Sequence, residues 1–352
     1  MTFMNKYSQI LDEIKKEHET KGVVGLNSKI LLIDGLNTFI RAFSIDPSCN
    51  ENGAHIGGIS GFLKSIGYAI KLFNPTRCII IFDGKGGSTR RKKIYPEYKN
   101  KRKPSIRYNR AVHMSNKQDE KESMKMQLSR LVQYLECLPV SFIAIENIEA
   151  DDSISYIATS NIDNTGSEFV IMSADKDFFQ LIDDKVKVWS PTKKKLYTST
   201  NLLEEYNISA NNYLIYRILD GDKSDNIPGV NGIGLKTLNK QFPMLSENTE
   251  VSIDELLEYS KGKKAKIFES LLNSENLMRR NFKLMQLKNV DISGTAKLKI
   301  TSIFREKVRR MNKTDFQVMA LQDQLNAALP NLDFWMDKCF RTLNSFSLSQ
   351  KE

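Results

Sequence analysis

Four short apolar runs in the first half of this chain each lead into acid, and no other feature of the sequence limits the fold as much. Lys29 to Ile33 is followed by Asp34, and Cys78 to Phe82 by Asp83. Val140 to Ile145 is followed by Glu149, Asp151 and Asp152, and Glu168 to Met172 by Asp175 and Asp177. A fifth run, Val186 to Trp189, completes the set. Apolar runs of this length, rich in β-branched and aromatic residues, predict buried strands. Helical patterns lie between them: Gly58 to Phe73 with Ile59, Phe62, Leu63, Ile66 and Ile70 on its apolar face, Met124 to Cys137, Ser153 to Thr159, and a short helix Phe178 to Ile182. The alternation predicts an α/β fold, a central mainly parallel sheet flanked by helices on both faces. The carboxyl ends of parallel strands share one edge, so the acids converge on one crevice. One Asp after a strand is ordinary turn or N-cap chemistry. Four acid-tipped strands in succession crowd like charges and call for a cation between them.

The rest of the composition narrows what that cation can be. Only His18, His55 and His113 are present, none at metal-ligand spacing, so a histidine metal centre or a Ser/His/Asp triad lacks material. Cys49, Cys78, Cys137 and Cys339 form no C-x-x-C pair, which argues against a disulfide framework and a zinc ribbon. Any metal must sit on oxygen, as magnesium does, with a few carboxylates, waters and a substrate phosphate around it. Two such ions roughly 3.5 to 4 Å apart hydrolyse phosphodiesters, activating water on one side and stabilising the leaving oxygen on the other. No Gly-x-x-x-x-Gly-Lys-Ser/Thr loop is present to cradle a nucleoside triphosphate. No apolar run approaches the ~20 residues that span a bilayer, and the charged N-terminus lacks a secretory apolar core. The expectation is a cytoplasmic protein with no membrane partner.

A net charge of +10 points to an anionic partner, and the excess is concentrated between Lys85 and Lys125. Tyr95, Tyr98 and Tyr108 lie among the cations there, an arrangement suited to stacking on bases, although a solvated charged loop has the same composition. Further on, Thr200 to Phe242 holds a predicted helix Tyr213 to Leu219, then G-D-K-S-D-N-I-P-G-V-N-G-I-G from Gly221 to Gly234, then a helix Leu235 to Gln241. Its Asp222 and Asp225 would join the acid group, while Gly229, Gly232 and Gly234 let a phosphate backbone approach free amides beside Lys236 and Thr237. A hairpin between two helices that grips DNA without reading bases fits the basic balance. From about Met244 the sequence reads as polar helices, including Phe316 to Leu329, with no legible chemistry.

The ordered motifs L-L-I-D-G-L-N, I-I-F-D-G-K, E-A-D-D, S-A-D-K-D-F and G-D-K-S-D-N-I-P-G-V-N-G-I-G, from Leu31 to Phe242, resemble the 5′ nuclease or flap endonuclease superfamily. V-K-V-W-S-P-T-K-K-K and the Arg90-Arg91 pair make the chain look most like the phage ribonuclease-H-type 5′-3′ exonucleases. The resemblance implies a PIN-like 5′ nuclease fold divided into an N-terminal helical extension (1–27), a catalytic domain (28–199) with a basic gateway (85–125), a helix-hairpin-helix region (200–243) and a helical C-terminal region (244–352). It implies removal of RNA primers and 5′ flaps during replication by two magnesium ions, with manganese as substitute and potassium at the hairpin. Asp34, Asp83, Glu149, Asp151, Asp152 and Asp175 would serve the first ion, and Asp177, Asp222 and Asp225 the second. Y-K-N-K-R matches the family's Tyr-Lys-x-x-Arg pattern, placing Lys99 and Arg102 on the scissile phosphate, Tyr98 on a terminal base, and Arg91 and Lys85 on neighbouring phosphates. Implied partners are duplex DNA with a 5′ flap or RNA primer, acted on by a monomer, with a single-strand-binding protein or sliding clamp as companion; a phage-encoded chain would work in the host cytoplasm. Two alternatives stay open: a PIN-type ribonuclease and a non-catalytic DNA-junction binder.

Overall fold

The computed structural model describes residues 25–100, 116–160, 162 and 166–348. The strand β1 (Lys29–Asp34) is followed by α1 (Gly35–Ile45), α2 (Gly57–Phe73), β2 (Arg77–Asp83) and α3 (Thr89–Ile94). Then come α4 (Lys117–Glu136), β3 (Ser141–Ile145), α5 (Ala150–Thr159), β4 (Glu168–Met172), a 3₁₀ turn (Lys176–Leu181), β5 (Val186–Ser190) and β6 (Lys195–Tyr197). The six strands form one sheet in the order β3-β2-β1-β4-β5-β6, parallel except for β6 at the edge. From β1 the chain pairs to β2 on one side and β4 on the other, which opens a crevice at the carboxyl ends where the winding reverses.

Alternation along β1 splits the core. Ile30 and Leu32 pack into one buried cluster and Leu31 and Ile33 into another, one on each face of the sheet. The first cluster runs on through Phe242, Leu256 and Leu284, while the second includes Phe316, Met336 and Phe340, so both faces are covered partly by helices from the C-terminal region.

Two predicted boundaries move for local reasons. Helix α4 begins at Lys117, not Met124: Asn116 caps it, accepting from the amides of Gln118 and Asp119, and Asp119 and Glu120 favour the positive end of the helix dipole. Those first turns carry no apolar periodicity, so pattern alone misses them. Likewise α5 begins at Ala150, not Ser153, with Glu149 at the N-cap position and Asp151 and Asp152 inside the first turn.

Beyond the sheet lie α6 (Ser199–Tyr206), α7 (Tyr213–Asp220), a two-stranded ribbon of β7 (Gly221–Asp222) and β8 (Ile227–Pro228), and α8 (Leu235–Gln241). The C-terminal helices are α9 (Ile253–Ser260), α10 (Lys266–Leu272), α11 (Glu275–Met285), α12 (Gly294–Arg305), α13 (Lys313–Gln322) and α14 (Leu332–Leu348). The single helix expected over Phe316 to Leu329 is broken, because Gln324 takes a left-handed φ of 55° and the chain restarts as a 3₁₀ turn. Asp323 is pinned there by Arg130 Nε and the Tyr134 hydroxyl, both at 2.7 Å. Among the described residues no helix is long and apolar enough to cross a membrane.

Candidate metal centre and nucleic-acid interface

The acids predicted to converge do so. Asp34 ends β1 and caps α1: one oxygen accepts from the Asn37 amide at 3.1 Å and the other from the Ser173 hydroxyl at 3.0 Å. Burial pushes its carboxyl up to about 7, and Asp83 and Asp151 add repulsion. Asp83 ends β2 and accepts from the Ala150 amide at 2.8 Å, which ties β2 to the start of α5. Asp175 accepts from the Asp177 amide at 2.8 Å, and burial together with the Asp177 charge raises it well above the ordinary carboxylate range.

Glu149, Asp151 and Asp152 each place an oxygen within 4.8 Å of the others, close enough to share one cation. Here the shared cation is a guanidinium. Arg91, on α3, bonds Glu149, reaches both Asp152 oxygens at 2.9 Å and lies 3.2 Å from Asp151, while Arg90 adds a bond to Asp152 at 3.1 Å. Arg91 is 2% exposed and its Nε donates to the Leu284 carbonyl of α11 at 2.9 Å. The expected phosphate contact is therefore a correction: Arg91 is a buried counter-charge beneath the acids, turned inward by their attraction. Burial raises Asp151, while Arg91 pulls it back.

Tyr98 is corrected in the same way. It is 2% exposed, its hydroxyl donates to Glu149 at 3.4 Å, and the ring has no face open to a base. Lys99 stands beside it with a left-handed φ of 59°; its ammonium bonds Glu149 and lies 4.0 Å from Asp225. Burial alone would lower the Lys99 amine, but Glu149 and Asp225 raise it. Lys85 is exposed on the loop between β2 and α3. Arg102, with the middle of the gateway and nearly all of the N-terminal extension, lies outside the described residues.

The second acid group gathers around another guanidinium. Arg217 of α7 bonds Asp177 at 2.5 Å and Asp222 at 2.7 Å. Burial raises Asp177 and Arg217 opposes that rise. The other Asp222 oxygen accepts from the amides of Ser224 (2.7 Å) and Asp225 (3.1 Å), so this acid also shapes the turn; against the cost of burial, Ser224 and Arg217 hold it below its ordinary value. The Asp225 carbonyl accepts from the Lys99 amide at 2.9 Å, and Asn226 donates to the Glu97 carbonyl at 2.9 Å, which joins the hairpin to the base of the gateway.

The glycines divide their tasks. Gly229 packs against α7, since a Cβ there would lie 2.3 Å from the Asp220 carbonyl oxygen. Gly232 makes the turn, with φ of 78° in open space. Gly234 precedes α8 with nothing within 4 Å of a Cβ, and Lys236 and Thr237 occupy the first turn of that helix, Lys236 exposed.

Arg217, Arg90, Ser173 and Asn281 hold the site and were not anticipated. Arg217 left a trace in the sequence as the single cation in the apolar helix Y-L-I-Y-R-I-L-D. Asn281 left none: from α11 its amide donates to the carbonyls of Ile218 at 3.0 Å and Pro228 at 2.8 Å, bracing the hairpin from behind.

With this geometry in place, the comparisons with known proteins agree. The profile of the 5′-3′ exonuclease N-terminal resolvase-like domain matches residues 29–207. The chain is 29% identical to a 5′-3′ exonuclease of Buchnera aphidicola over 78% of its own length and 91% of the relative. It is 32% identical to DNA polymerase I of Caldicellulosiruptor bescii over 63% of its own length, but spans only 25% of that polymerase. A zinc-bound structure of the T5 5′-exonuclease superposes with a TM-score of 0.63 at 21% identity, covering 79% of this chain and 98% of the other, a likeness of fold. The chain belongs to the 5′-3′ exonuclease family by its N-terminal resolvase-like domain.

Proposed function

We propose that the chain is a divalent-metal-dependent, structure-specific nuclease that hydrolyses phosphodiesters from 5′ ends, on DNA carrying a 5′ flap or an RNA primer. The observation that carries this reading is the set of carboxyls at the β1, β2 and β4 ends and the start of α5, three of which, Asp34, Asp151 and Asp175, are raised by burial and by the charges of neighbouring acids. That donor set fits a hard cation, which oxygen ligands prefer and which relieves the repulsion. Magnesium, with manganese as its substitute, would be held by Asp34, Asp83, Asp151 and Asp175, and a second ion by Asp177, Asp222 and Asp225 once Arg217 yields. Bound there, the metal supplies Lewis acidity for the attack of water and for the leaving oxygen.

The chain's own residues do the rest. Asp152, with both oxygens on guanidiniums, anchors α5 and so aims Asp151. Lys99 and Arg102 are assigned to the scissile phosphate, where a cation stabilises developing charge. The turn at Gly232, Gly234, Lys236 and Thr237 holds the duplex backbone behind the cut, with potassium as a further ligand of that turn. The substrate assignment is supported by the name of the Buchnera relative, a 5′-3′ exonuclease. The deciding assay incubates the purified chain with magnesium and either a 5′-flap duplex or an RNA-primed nicked duplex, with EDTA as control. Magnesium-dependent shortening from the 5′ end is expected; if both substrates stay intact, the reading is wrong.

A further inference from the structure

The run V-K-V-W-S-P-T-K-K-K folds into β5, a turn and β6, and Trp189 brings it to the same sheet edge as the acids. Beside it lies a cleft of about 300 Å³, lined by Arg41 of α1, Lys64 and Tyr68 of α2, Met172 of β4, Trp189, and Lys194 of the turn. Trp189 is only 6% exposed and forms the floor, edge-on to Phe73 at 5.6 Å. Tyr68 is 55% exposed, with its ring centroid 6.2 Å from that of Trp189 and the planes 31° apart. The chain thus presents one aromatic face to water and supports it with a buried second ring.

Cations surround that face. Arg41 donates to the Pro191 carbonyl at 3.2 Å, which fastens α1 to the turn. Lys64 donates to Asp46 at 3.2 Å and keeps further N–H donors for another anion. Lys194 holds a left-handed φ of 50° at the turn, exposed beside the ring. An aromatic platform rimmed by cations is the arrangement that binds a single-stranded nucleotide: the ring takes one base by stacking and the cations take its phosphates. A paired base has both faces covered by its neighbours, so the platform favours an unpaired strand.

We propose that this cleft is a second nucleic-acid subsite, in which Tyr68 stacks on an unpaired base and Arg41, Lys64 and Lys194 hold the phosphates beside it. That a DNA strand comes this close rests on the nuclease reading above. Arg41 lies seven residues after Asp34 on α1, about 10 Å along the helix at ~1.5 Å per residue. At the ~3.4 Å rise of one strand in a duplex, that is about three nucleotides from the acids. The cleft lies on the β4–β5 side of β1, whereas Lys85 and α3 follow β2 on its other side.

The test measures fluorescence anisotropy of a short labelled oligothymidylate titrated with the full-length chain. Tyr68 and Lys194 are exposed, so their variants keep the fold. Tyr68→Ala is expected to weaken binding roughly 5- to 150-fold, the range for losing one base–aromatic stack, and Tyr68→Phe to retain it. Lys194→Ala is expected to lower the slope of log K against log salt by about 0.7, the value for one phosphate of a single strand, while Tyr68→Ala leaves that slope alone. An oligonucleotide carrying 5-iododeoxyuridine should cross-link on irradiation to Tyr68 or Trp189. If the wild type cuts a 5′-flap duplex while both alanine variants bind as the wild type does and the cross-link maps elsewhere, the cleft is overturned and the nuclease reading stands. If the cross-link and the Tyr68 effect appear but nothing is cut, the cleft stands and the nuclease reading falls.

Discussion

Asp34 sits where folding and chemistry make opposite demands. Its two hydrogen bonds favour the charged carboxylate, yet burial outweighs them and lifts the carboxyl from 3.8 to about 7. A carboxyl raised on folding binds protons more tightly in the folded chain. It therefore stabilises the fold below pH about 4, and that contribution is lost as the pH rises through about 7. The metal-free protein should accordingly melt higher at pH 5 than at pH 8, by at least about 2 °C, in a calorimetric scan. Magnesium at pH 8 should remove most of the difference, and Asp34→Asn should reduce both the pH trend and the magnesium effect, leaving the share of Asp151, Asp175 and Asp177, which burial also raises. A melting temperature that falls on acidification over this range would refute the assignment. The acids were legible because carboxylates at strand ends follow from a period of two and a shared edge. The roles of Arg91 and Tyr98 were not. Both stand in a basic stretch that reads as solvent-facing, and only the position of α3 over the first turn of α5 turns them inward.

At the level of elements, the glycine hairpin was legible and its brace was not. The spacing of Gly229, Gly232 and Gly234 announces a tight turn, and α7 and α8 lie close to the segments that periodicity gives. Helix α11 reads as one more polar helix, because what it contributes is two main-chain carbonyls and the Asn281 amide. Leu284 supports Arg91, Met285 accepts from Gln180 at 3.0 Å, and Asn281 holds both sides of the hairpin. Arg280 lies 4.2 Å over the Tyr95 ring, so the same helix also steadies the gateway. Asn281→Leu keeps the volume and removes the donors, leaving buried carbonyls short of a partner. A loss of about 1–3 kcal/mol in urea-melt stability is expected, together with weaker duplex binding. Unchanged stability would mean that the brace carries no strain.

Across the whole molecule, the net charge of +10 makes a claim about partners that the fold makes specific. The base of the gateway and the hairpin both adjoin the acids, through Lys99 on Glu149 and Arg217 on Asp222. Duplex affinity measured by anisotropy should therefore fall steeply with salt, with a log–log slope of several units, and Lys236→Ala should reduce that slope by about one without changing sequence preference. A flat dependence would contradict backbone gripping. The α/β architecture was legible from the sequence because each buried strand is a nearly pure apolar run. The C-terminal helices were not, since they cover the two sheet faces through scattered contacts such as Phe316 and Phe340, at spacings that could equally belong to a separate bundle.

The guanidiniums of Arg91 and Arg217, each set among acids, have a consequence for the order of events in a cell. In the folded chain they neutralise Glu149, Asp152, Asp177 and Asp222 with no metal ion needed. On the nuclease reading proposed above, loading the second ion would exchange one positive charge for another at Asp177 and Asp222 rather than fill a vacancy, and would be a separate, later and reversible decision. On that reading the folded chain would be stored inert and armed by the ion supply, without refolding.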